Sequence, residues 1–244
     1  MKKVCLGNRR KVMVPAFLRW LFPVKEKRIS LFYKLYEKND LLYLLFQSLP
    51  VLTFINWGSQ GLPAMSRPEK TFHLLFEALV FVLCLVLLPM SPGWCFLVAH
   101  TISWLLNSHF WVLVRFWNIR FNTAANYYGY LMSLSKRLQD NDVFLVVVLI
   151  GGVAVGRSLT DSSDLDVKFI ARKGTWYSIR ANLVLMREKW RAFFLRIPFD
   201  ANLYTDMDYF ERINQQEMPY MLYRHKTLTD NQIAQYKMRN FTHE

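Results

Sequence analysis

IGGVAVGRSLTDSSDLDVKFI, residues 150–170, sets two adjacent glycines after an apolar run and two aspartates one residue apart inside the next. Lacking a Cβ, Gly151 and Gly152 let backbone N–H groups crowd an anion. Residues two apart on a strand share a face, so Asp164 and Asp166 bring their carboxylates together while Leu165 and Val167 turn to the other side. Carboxylates that close repel each other, and a divalent cation bound between them removes the penalty. VAVGRSL, after the glycines, has the composition to open a helix whose N-terminus would add positive potential at the same place. The glycines alone say little, since their spacing fits neither GxGxxG nor a P-loop ending in GK[ST].

Outward from this stretch, strand-like and helix-like segments alternate. VFLVVVLI (143–150) is a β-branched run, SDLDVKFIA (163–171) a second strand, TWYSIRANLVLMREKWRAFFLRI (175–197) a long helix and PFDANLYT (198–205) a third strand. A helix is expected before them in residues 122–142 and another after them in residues 207–218. A strand in YMLYRHKTL (220–228) and a closing helix in DNQIAQYKMRN, with Asp230 near its N-cap, complete the unit. Residues 119–244 thus read as one compact domain. Asp200, flanked by Phe199 and Ala201, stands where a neighbouring strand offers a third carboxylate, with Asp206 and Asp208 as the alternatives.

Ile150-Gly151-Gly152 and Asp164-Leu165-Asp166-Val167, separated by the eleven residues 153–163, resemble the signatures of the nucleotidyltransferase superfamily typified by DNA polymerase beta and the minimal nucleotidyltransferases. That family's pattern is a hydrophobic residue, Gly, then Gly or Ser, a gap, and Asp-hydrophobic-Asp-hydrophobic, with a further carboxylate on a later strand. Gly156-Arg157-Ser158 and Ser163 look like its usual filler. The resemblance covers residues 120–205 at most. It implies an α+β fold, a mixed sheet with flanking helices, and Mg²⁺-assisted transfer of a nucleoside monophosphate from an NTP. By the same resemblance, Gly151, Gly152, Arg157, Ser158 and Ser163 would bind the nucleotide, and Asp164 and Asp166 would hold two Mg²⁺ ions. Asp200 would share the metal and help deprotonate the acceptor hydroxyl, while the metal stabilises charge as the α-phosphorus is attacked and pyrophosphate leaves. The family often has Ser at the second glycine, so the departure at Gly152 puts one hydroxyl contact to phosphate in doubt.

The rest of the chain has a different character. A net charge of +13 and a pI near 9.8 call for an acidic partner, and 53% hydrophobic with 16% aromatic residues points to lipid rather than to a soluble RNA-binding module. Cys5, Cys84 and Cys95 form no CxxC pair, so neither a disulfide framework nor a zinc site is suggested and a reducing compartment fits best. The basic start lacks the continuous apolar core and small-residue cleavage site of a signal peptide.

Residues 1–71 mix basic clusters with aromatic groups, as helices at a membrane surface do, or as ordinary amphipathic core helices do. Residues 72–118 read as a transmembrane helical hairpin: 72–90 carries one charge, Glu77, 93–114 carries none, and Pro89 to Gly93 form the turn. A buried hairpin of a soluble protein is the alternative. Trp94, Trp111 and Trp117 lie near the span ends, and Arg67, Lys70, Arg115 and Arg120 put both flanks in the cytoplasm. On that topology 41–57, short and broken by Pro50, is interfacial or re-entrant. Glu77 is expected to hydrogen-bond Asn107 or His109, as structural glue in preference to a proton relay with His100 and His109. Lys168 either neutralises the acidic face or touches phosphate, or else is solvated at the strand end. Arg224, His225 and Lys226 read as surface charge ahead of nucleotide contact, and His225 as a general base is the weakest reading.

These features converge on a membrane-anchored nucleotidyltransferase facing the cytoplasm, its acceptor unidentified and membrane- or envelope-associated. The alternative is a catalytically silent relative holding a nucleotide or a partner at the membrane. A basic nucleic-acid binder explains the charge but not the acids and is not favoured.

Overall fold

A computed structural model of the chain describes residues 2–6, 10–14, 45, 48–106, 110, 122–161, 163–212 and 217–241. Near the N-terminus β1 (Lys2–Leu6) and β2 (Arg10–Val14) pair antiparallel, a departure from the surface helices expected in residues 1–71. Helix α1 (Leu49–Ser59) has Pro50 in its first turn, where a missing N–H costs nothing, so the proline starts this helix instead of breaking it. The apolar hairpin is formed by α2 (Arg67–Leu87) and α3 (Pro92–Leu106). Ser66 caps α2 by accepting from Glu69 N.

The C-terminal part is α+β, as expected. Helix α4 (Ala124–Leu138) precedes β3 (Phe144–Leu149) and β4 (Leu165–Ala171); α5 (Thr175–Phe194) then crosses back to β5 (Phe199–Tyr204). A 3₁₀ segment (Met207–Arg212), β6 (Tyr220–Arg224), α6 (Asp230–Gln235) and β7 (Arg239–Asn240) follow. The helix expected across residues 207–218 is thus a 3₁₀ turn where described. The closing helix is capped by Thr229, one residue before the expected Asp230, in a reciprocal box with Gln232.

The sheet order is β5-β4-β3-β6-β7, with β3 antiparallel to both its neighbours and β4/β5 and β6/β7 parallel. Strand alternation splits its two faces. Leu165, Val167, Phe169, Phe199, Ala201 and Leu203 turn to a core closed by α4 and α5. Val146, Val148 and Ile170 face the other way, under Phe210 of the 3₁₀ segment and Leu228 and Met238. Burying a Phe or Leu in such a core contributes ~1.5–3 kcal/mol, and Phe144, Phe169 and Phe199 are all essentially inaccessible.

The first turns of α2 belong to this unit. Glu69, buried, takes Lys189 Nζ of α5 at 2.8 Å on one oxygen and Leu203 N of β5 at 2.9 Å on the other. An edge strand presents unpaired N–H groups, and here a carboxylate from 134 residues away covers one of them. Phe76 packs about two turns further along against Trp190, ring centroids 6.1 Å apart. Helix α2 therefore runs unbroken from the sheet edge into the apolar hairpin.

Candidate metal centre

Parallel pairing of β4 and β5 puts Asp166 opposite Asp200, Lys168 opposite Asn202 and Ile170 opposite Tyr204. These residues occupy the face turned away from α4 and α5. Asp164, two residues before Asp166, shares that face, and one carboxylate oxygen from each of Asp164, Asp166 and Asp200 lies within 4.8 Å of the others. All three are half-buried, so water screens them only in part. At that separation and an effective dielectric near 20, each pair of charges repels by roughly 3 kcal/mol. Three hard oxygens are the donor set a Mg²⁺ ion takes. Ligands at about 2.1 Å in an octahedron stand about 3 Å apart when adjacent. Closing on one ion thus needs modest side-chain rotation, and the wider spacing also accommodates two ions about 3.5–4 Å apart.

The glycine turn is built onto this cluster. Gly151 has φ +77°, and a Cβ there would stand 2.7 Å from Asp166 Oδ2, so only glycine lets the turn lie on that carboxylate. Ile150 N donates to Asp166 O at 2.8 Å, continuing the ladder to the edge of the site. Residues 151–156 form successive turns and open no helix, which corrects the expectation for VAVGRSL. Arg157 N returns to Gly152 O at 2.9 Å and Gly156 N to Val153 O at 3.0 Å, closing the chain into a compact loop that a helix would have unwound. Buried Ala154 anchors the loop by accepting from Met218 N and Arg239 Nη2. At its far end, Asp161 Oδ1 accepts from Ala124 N at the start of α4.

Arg157 and Ser158 are exposed on this loop, Arg157 with its methylenes over Gly152. Ser163 is used locally: its Oγ accepts from Thr160 N at 2.9 Å, and its own N–H donates to Thr160 O. The serine thereby fixes the turn that delivers Asp164. Lys168 is neither solvated nor terminal; it is buried and donates to Asn202 Oδ1 on β5. Asp206 and Asp208 lie beyond the other end of β5, in a groove of about 790 Å³ shared with Pro68, Leu75 and Lys173, so Asp200 is the third acid of the cluster.

The cluster of Arg224, His225 and Lys226 stands at the opposite end of the sheet, where Arg224 pairs with Val146. Arg224 holds Leu228 O and Asp230, and His225 Nδ1 accepts from Thr227 N. Burial, then Arg172 and Lys226, push the His225 pKa below the ordinary imidazole value against the pull of Asp142.

Sequence reasoning missed Tyr209. Its ring stacks on Tyr204, centroids 4.2 Å apart, and its phenol is held well above the usual pKa by burial first and then by Tyr204, Asp166, Glu217 and Asp200. The phenol thus stands near the acids, a neutral hydroxyl beside an anionic site. Its only sequence signal was a position in the segment after β5, which carried no motif.

Comparison of the chain with protein-family models, with curated proteins and with solved structures finds no match to any of them.

Proposed function

We propose that the protein is a nucleotidyltransferase that moves a nucleoside monophosphate from an NTP to an acceptor hydroxyl at a membrane. One observation carries this reading: three carboxylates from two adjoining parallel strands meet beside a glycine turn that lies directly on one of them. The arrangement agrees with the resemblance of residues 150–167 to the nucleotidyltransferase signatures. Asp164, Asp166 and Asp200 would hold Mg²⁺, which supplies charge neutralisation at the transferring phosphorus and the leaving pyrophosphate. Gly151 and Gly152 leave room for phosphate oxygens against backbone N–H groups. Arg157, on the exposed loop, is within the segment that would meet the triphosphate. Asp200, opposite Asp166 on the neighbouring strand, is assigned to the acceptor side, where a carboxylate can take the hydroxyl proton. Tyr209, close enough to feel Asp166 and Asp200, would offer its phenol O–H to the same anionic site. The apolar hairpin of α2 and α3 holds the enzyme at the membrane, with the sheet domain in the cytoplasm where NTP is supplied.

Incubating the purified full chain with labelled ATP or CTP, Mg²⁺ and a membrane extract tests the proposal. Label is expected to enter an acceptor with the wild type and not with Asp164→Ala/Asp166→Ala. Equal transfer by both contradicts it; nucleotide binding without transfer in either favours the silent-scaffold reading.

A further inference from the structure

Among the described residues one helix, α2, is long and apolar enough to cross a membrane, with mean hydropathy 2.0 over its best window. Its first turns are already committed elsewhere, to Lys189, β5 and Trp190. At the next level Glu77 Oε1 meets His100 Nδ1 of α3 at 2.6 Å, so the partner of Glu77 is His100; Asn107 and His109, expected for that role, lie outside the described residues. His100 Nε2 lies 3.1 Å from Trp57 O of α1. Gln60 reaches His100 O at 2.9 Å and His73 Nε2 at 2.6 Å. The base of the hairpin is thus a polar-cored junction of α1, α2, α3 and α5, built like the interior of a water-soluble domain.

Beyond Glu77 and His100 the character changes at once. Residues 78–99 contain no charge, and Leu79, Val86, Leu87 and Trp94 stand more than half exposed around an uncharged tip. Such a surface calls for lipid. Residues 78–88, however, rise only about 16 Å at ~1.5 Å each, about half of a ~30 Å hydrocarbon core. Spanning would draw Glu77, His100, His73 and Gln60 into the bilayer, where such groups are costly.

We infer that the hairpin is a half-inserted anchor whose tip ends among the acyl chains of one leaflet. The occupant of this apolar surface is therefore lipid, and the sheet domain rests on the leaflet that the hairpin enters. Helix α5 fits that position. Trp176, Ile179 and Leu183 are exposed in a row along it, bordered by Arg180 and Arg187, the pattern of a helix lying among anionic headgroups. Arg180 also reaches Asp142 at 3.1 Å. The inference rests on the hairpin being a membrane anchor, as proposed above, and replaces two spans by insertion from one side.

The test uses the full chain with Cys5, Cys84 and Cys95 replaced by alanine and a single cysteine introduced, Ser91→Cys at the tip or Asp140→Cys in the exposed turn just after α4. Each variant is reconstituted into phosphatidylglycerol–phosphatidylethanolamine vesicles and treated with a membrane-impermeant maleimide from either side. Half-insertion requires position 91 to be unreactive from both sides until detergent is added, with position 140 reactive from one. Labelling of position 91 from the side opposite position 140 means a spanning hairpin and overturns the inference while leaving the anchor intact. Labelling from the same side, or failure to float with the vesicles, overturns the anchor and the inference together. Should the cysteine-free chain not fold, the Trp94 contribution is read from the difference between wild type and Trp94→Phe in brominated lipids. Strongest quenching by bromines deep in the chains supports half-insertion; strongest quenching by shallow bromines overturns it.

Discussion

At Gly151 two requirements coincide: a left-handed backbone at φ +77° and contact with Asp166 Oδ2 that leaves no room for a Cβ. Gly151→Ala is expected to cost about 1–2 kcal/mol from the backbone alone. It should also displace the Asp166 carboxylate, so the proposed transferase activity is expected to fall by a larger factor than stability predicts; a melting curve and a label-transfer assay on one preparation separate the two. The acids should show the reverse relation. Removing one of three clustered charges relieves repulsion, so Asp166→Asn is expected to raise the melting temperature in EDTA by several degrees, at ~2–4 °C per kcal/mol, while lowering transfer by at least on the order of 10²–10³-fold. A variant that melts lower in EDTA would speak against an electrostatically strained cluster. Asp164 and Asp166 were legible because period two is a property of one strand. Lys168 obeys the same period, yet its burial was not legible, since that depends on Asn202 standing opposite it in another strand.

Elements repeat this pattern. The apolar runs that became β3, β4 and β5 could be read because strands enclosed on both faces demand β-branched and aromatic residues, and the long helix between β4 and β5 followed from its length and periodicity. The loop after the glycines could not be read as a loop, because VAVGRSL has helix-compatible composition and the deciding contacts, Ala154 with Met218 and Arg239, come from 64 and 85 residues away. Glu69 is the clearest case of hidden information. In sequence it is one acid ahead of an apolar run; in the fold it closes the edge of the strand that carries Asp200. Glu69→Gln keeps an oxygen for Leu203 N but leaves Lys189 buried without its counter-charge, a change expected to cost about 3–5 kcal/mol. Amide exchange should quicken first in β5. Unchanged protection there would separate the hairpin helix from the site mechanically.

Across the whole molecule, the distribution of charge shapes stability. His225 is buried and its folded-state pKa is depressed by burial, Arg172 and Lys226. The unfolded chain accepts that proton near the ordinary value of about 6.5, before the folded chain does. Its contribution to stability is therefore complete above that pH and shrinks as pH falls toward the depressed value. Melting temperature is expected to drop as pH falls from about 6.5 toward the depressed value, and His225→Asn to flatten that part of the profile; an unaltered slope would assign it to other groups. The +13 charge and the bare apolar tip were both visible in composition, but the depth to which the tip can reach became readable only once Glu77 and His100 were found paired below it. The proposed transfer activity rests on metal binding at Asp164, Asp166 and Asp200, and Mn²⁺ paramagnetic resonance on the purified full chain probes it without knowledge of the acceptor. Wild type should quench the free Mn²⁺ signal stoichiometrically, more strongly with a non-hydrolysable NTP and reversibly with Mg²⁺, whereas Asp166→Asn/Asp200→Asn should leave the signal free. Equal binding by both proteins, or none by the wild type, would contradict a catalytic metal centre.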